Sequence, residues 1–115
     1  MSSFDNEFET GIDITRNIKI IEFLKGEMLT DMAELFKTMS KDSKNVQTDT
    51  LDIIANVIIE SYVLAKRIGL SYDNVALQIN EKLSMGIEEQ NEIEKYYRDL
   101  SELKKFLSFK KSNII

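Results

Sequence analysis

The chain has 115 residues, 43% of them hydrophobic and 30% charged, with a formal charge of -5 and neither cysteine nor histidine. That length holds one core of ordinary domain size, and the missing side chains exclude disulfides, thiol nucleophiles, the usual zinc ligand sets and a histidine general base. The acidic balance argues against nucleic acid as a partner, because phosphate binding needs a basic face.

With no proline and only four glycines, little punctuates the chain, and an all-α fold is expected. Residues 1–11 carry Asp5, Glu7 and Glu9 without helical periodicity and read as a flexible acidic N-terminus. A single helical domain is expected over 12–109 and a short tail over 110–115. Asp13 suits the N-cap of a helix from about Ile14 to Lys25, which Gly26 is expected to break or end. A second helix reads from about Glu27 to Met39, apolar at Leu29, Met32, Leu35, Phe36 and Met39 and acidic at Asp31 and Glu34.

The polar stretch 40–48 reads as a loop. The third helix, about Asp49 to Ile68, is apolar nearly all round in its centre, a pattern expected of a helix buried on several sides. Lys66 and Arg67 suit its C-terminal end, and Gly69 is placed to cap it in the left-handed conformation. A fourth helix follows from about Tyr72 to Ser84. The last, about Glu88 to Phe109, is heavily charged but carries an apolar seam at Ile93, Tyr96, Leu100, Leu103 and Leu107. These elements make a four-helix bundle with an additional C-terminal helix, and the outer seam points to a homodimer or a dimer of dimers.

No run is long and apolar enough for a membrane helix, because Ile53 to Ala65 is interrupted by Asn56, Glu60 and Ser61. The N-terminus resembles no secretory signal, and a cytoplasmic location is expected.

The informative residues are polar ones in apolar surroundings. Asp49, Asp52, Asn56 and Glu60 succeed one another at three- and four-residue intervals, so they form one polar stripe along the third helix. Asn56, set among Ile53, Ile54, Val57 and Ile58, is expected to be buried and therefore to need a hydrogen-bonding partner. Asp31 and Glu34 make an i, i+3 carboxylate pair on the second helix. Two antiparallel helices would lay these stripes together, and such oxygen donors suit Mg²⁺ held on substrate phosphates. The alternative is ordinary: solvated helix-surface acids, with Asn56 a hydrogen-bond specifier between helices.

At this point the sequence resembles the MazG-like family, small all-α proteins related to nucleoside triphosphate pyrophosphohydrolases. In that superfamily one helix carries an E-x-x-E pair and the next an E-x-x-D pair, which bind Mg²⁺ on the nucleotide. Asp31-Met32-Ala33-Glu34-Leu35 stands where the first pair is expected. The second falls either on Asp49-Thr50-Leu51-Asp52 or, in the register that also aligns the turn Arg67-Ile68-Gly69-Leu70, on Ile53 and Asn56. The second register is preferred. It departs from the family pattern, since Ile53 offers no ligand and Asn56 no charge, and Asp52 would have to restore the third carboxylate.

The resemblance implies attack of water on a nucleoside triphosphate, giving the monophosphate and pyrophosphate. It assigns Asp31, Glu34, Asp52 and Asn56 to Mg²⁺, Glu34 and Glu60 to catalysis, and Lys82 to phosphate. Lys37 and Lys41 are weaker phosphate candidates; Tyr62, Tyr72 and Phe36 are of the type that stacks on a base, although such aromatics more often belong to a core or an interface, and no base preference is read from them. Because the second motif is degenerate, the competing expectation is a catalytically inactive relative that works by binding nucleotide or protein.

Overall fold

With no proline to interrupt them, the periodic segments form helices in the computed structural model, whose described residues are 3–114, with side chains described for residue 11 and for 13–109. There are five such helices: α1 (Ser3–Met39), α2 (Val46–Arg67), α3 (Tyr72–Glu88), α4 (Glu92–Tyr97) and α5 (Asp99–Ile114). The chain divides into two units, residues 1–72 and 73–115.

In the first unit α1 and α2 form a hairpin closed by a short turn, in which the Ser40 amide donates to the Lys37 carbonyl and the Lys41 amide to that of Thr38. Between the helices lie the buried Leu24 and Thr38 and the half-buried Met28, Asp31, Leu35, Ile53, Val57, Glu60 and Leu64. These positions recur every three or four residues, the period that keeps one side of a helix turned to its neighbour. The Asn17 side-chain amide donates to the Arg67 carbonyl at 2.9 Å, tying α1 to the C-terminal end of α2.

That end closes as a Schellman motif. The Leu70 amide reaches the Ala65 carbonyl at 2.9 Å and the Gly69 amide that of Lys66 at 3.1 Å, with Gly69 at φ 98°. The left-handed cap expected at Gly69 is therefore present.

Three local expectations are corrected. Gly26 does not break the first helix, because a glycine costs an α-helix only about 1 kcal/mol and packing against α2 outweighs it. The centre of α2 is not buried all round: Leu51, Ile54, Ile58 and Ile59 are exposed. Asn56 is exposed too, so it is not the buried amide that needs a partner inside the protein.

At about 100° per residue, the two helices present the same kinds of surface on the same sides. Ile14, Ile18, Leu29 and Phe36 of α1 and Leu51, Ile54 and Ile58 of α2 form one apolar side, all of them exposed. At its loop end Met39, Val46, Thr50, Leu51 and Ile54 line an open groove of about 410 Å³. Glu27, Glu34, Asp52 and Asn56 lie towards the other side, together with the exposed Phe23 and Ile59.

In the second unit α3 runs one turn past its expected end at Ser84, and the helix expected over 88–109 is two helices. Gln90 and Arg98, at φ 54° and 58°, interrupt the chain on either side of α4. The Asn91 side chain caps α4 by accepting from the Glu94 amide at 3.0 Å. Glu94, only 4% exposed, turns its carboxylate onto the first turn of α5, where it accepts from the Ser101 amide and hydroxyl. Among the described residues of this unit, Leu83 of α3 is the buried apolar one.

Candidate metal centre

Antiparallel packing brings the middle of α1 against the C-terminal half of α2, and three acids meet there. Glu27 and Asp31 are one helical turn apart on α1, so their side chains project together. Glu60 approaches from α2 and is half-buried, as are Val57 and Leu64 on the same side of that helix. One carboxylate oxygen from each lies within 4.8 Å of the other two.

Three carboxylates this close repel one another unless a proton or a cation intervenes. Glu60 carries the strain: burial, the hydrogen bond with Asp31 and the charges of Asp31 and Glu27 raise its pKa from 4.5 to about 7. Its Oε1 atom is buried without a hydrogen-bonding partner. A buried acceptor left open beside two further carboxylates is suited to a cation. Glu27, Asp31 and Glu60 are hard oxygen donors, the ligand type that suits a divalent cation such as Mg²⁺.

Two of the residues expected at the site are in this group, Asp31 and Glu60. Glu34, one turn beyond Asp31, is exposed and outside the group, as are Asp49 and Asp52 on α2. Asn56 is exposed one turn before Glu60. Lys82 is exposed on α3, in the second unit. Tyr62 and Tyr72 meet edge to face at 6.1 Å, with the Lys66 ammonium 5.1 Å from the Tyr72 ring centroid.

Glu27 was missed. The signal was its i, i+4 relation to Asp31, obscured because Asp31 pairs equally well in sequence with Glu34. Which partner counts depends on the hairpin register, which brings the Glu27–Asp31 side of α1 to Glu60.

Set beside known families, residues 14–100 match the family model described as MazG-like. No curated protein and no solved structure matches the chain.

Proposed function

The chain belongs to the MazG-like family, and from that premise we propose that the α1–α2 hairpin holds a divalent cation, Mg²⁺ or Mn²⁺, on Glu27, Asp31 and Glu60 to engage the phosphates of a nucleoside triphosphate. The activity this reading implies is hydrolysis to the nucleoside monophosphate and pyrophosphate, in the cytoplasm. The observation that carries it is the convergence of three carboxylates from two helices, one of them with a buried oxygen that nothing else satisfies. A cation there would neutralise phosphate charge and acidify a bound water. The chain supplies the rest: Asp31 and Glu60 fix the ligand geometry across the hairpin, Glu27 adds charge, and Glu34 is the candidate to orient the attacking water.

Titration with Mn²⁺, followed by its electron spin resonance, tests the centre. The native chain is expected to bind the ion, and Glu60→Gln and Asp31→Asn to weaken binding by about tenfold or more, while Asp49→Asn leaves it unchanged. Binding by neither the native chain nor the variants, or equal binding by all, contradicts the reading.

A second reading rests on the exposure of Asp52 and Asn56 outside the cluster. With Ile53 and Asn56 at the second motif, the site keeps fewer charges than the family pattern supplies, which favours a catalytically inactive relative that binds nucleotide or a protein. We also propose self-association as a homodimer or dimer of dimers, supported by the exposed apolar side of the hairpin.

A further inference from the structure

The helices α4 and α5 carry an apolar seam that their own geometry interrupts. Ile93, Tyr96, Leu100, Leu103 and Leu107 succeed one another at intervals of three, four, three and four residues. That spacing aligns side chains only along an unbroken helix. Arg98 stands in the middle of the run at φ 58° and ψ 24°, and its left-handed turn takes the residues after it out of line with those before.

Nothing local demands this break, since no glycine or proline follows Gly86. A non-glycine residue stays left-handed only where its surroundings hold it there. Two contacts do so. The buried carboxylate of Glu94 accepts from the amide and hydroxyl of Ser101, satisfying a donor in the first turn of α5 that a continuous helix would satisfy by itself. Leu100 and Asn91 close on Gly86 of α3 so tightly that an added Cβ there would meet Leu100 Cδ1 at 2.6 Å and Asn91 Nδ2 at 2.9 Å. The Lys104 ammonium, donating to the Ser84 hydroxyl at 2.8 Å, adds a third tie between α5 and α3.

We propose that the α4–α5 corner is a latch with two states: the bent one, held by Glu94 on Ser101 and by Leu100 on Gly86, and a released one in which Arg98 turns right-handed and residues 92–114 form a single helix with its seam unbroken. The sequence favours the released helix locally and the tertiary contacts favour the bend. Loss of either contact shifts the balance.

The chain has no cysteine, so spin labels can be placed cleanly on cysteines substituted at the exposed Glu92 and Lys105. A continuous helix sets about 20 Å along the axis between these positions, from about 1.5 Å per residue, and the bend shortens it. The native chain is expected to give mainly the shorter separation. Gly86→Ala and Glu94→Gln should each transfer population to the longer one, and Arg98→Gly, which removes the cost of the left-handed turn, should return it to the shorter when combined with either.

The distance distribution of the labelled chain without further substitution is the companion measurement, and it does not depend on Gly86→Ala or Glu94→Gln folding. A minor population at the longer separation is expected beside the main shorter one. Unchanged separations in the folded variants, or no population at the longer separation before they are introduced, would overturn the latch.

Discussion

Two glutamates carry titration of opposite sign. Glu60 is raised to about 7 by burial and by its acidic neighbours. In the metal-free protein the folded state therefore holds a proton that the unfolded chain releases near 4.5, and stability falls as pH rises through that window to about 7. Glu94 is lowered, chiefly by the hydrogen bond from the Ser101 hydroxyl. Its contribution is present above the ordinary carboxylate range and is lost as pH falls. Urea denaturation across pH is expected to separate them: Glu60→Gln flattens the loss between pH 5 and 8 and gains roughly 1 kcal/mol at most at pH 8 once solvent screening is discounted, whereas Glu94→Gln flattens the acid side. A Glu60→Gln variant no more stable than the native chain at pH 8 would mean that the three carboxylates do not strain one another.

At this scale the sequence made the acids visible but not their grouping. Asp31 and Glu60 stand out as acids in amphipathic or apolar surroundings. Glu27 does not, because which turn of α1 meets Glu60 is settled by how the chain reverses between Met39 and Val46, a three-dimensional fact no local spacing contains. Asn56 misled for the converse reason: apolar neighbours in sequence are taken as burial, and α2 leaves much of its apolar surface exposed.

Among the elements, the expected boundaries failed where glycine was over-read and where tertiary contacts overrode local preference. Gly26 lies in the middle of α1 with no unusual φ and nothing within 4 Å of an added Cβ. It is a weak point rather than an end, and Gly26→Ala is expected to raise stability by about 0.5–1 kcal/mol, read as a higher urea midpoint at unchanged slope. A destabilised variant would place a packing partner over Gly26. The end of α2 was legible because its signals are chemical and local: two cations in the last turn, then a glycine where a left-handed residue is needed. The bend at Arg98 was not, since no glycine or proline marks it and the carboxylate that caps α5 is seven residues away from Ser101.

For the whole molecule, the all-α class followed from composition and periodicity, and family membership now stands on a match over residues 14–100. The fold leaves Ile14, Ile18, Leu29, Phe36, Leu51, Ile54 and Ile58 exposed on one side of the α1–α2 hairpin, and clustered exposed apolar side chains are a mark of interaction surfaces. Sedimentation velocity is expected to find the native chain as a dimer or larger, and Leu29→Glu with Ile58→Glu, both at exposed positions on that side, to yield monomers that keep their helix content. A native chain that sediments as a monomer would contradict the assignment of that side to self-association.

The most direct test of the account is pyrophosphate release from a panel of ordinary and damaged nucleoside triphosphates with Mg²⁺ or Mn²⁺, comparing the native chain with Glu60→Gln and Glu34→Ala. The account predicts metal-dependent release by the native chain that Glu60→Gln abolishes without loss of helix content, and that Glu34→Ala slows. Release that survives Glu60→Gln, or none from any nucleotide by a folded and metal-loaded native chain, would contradict it.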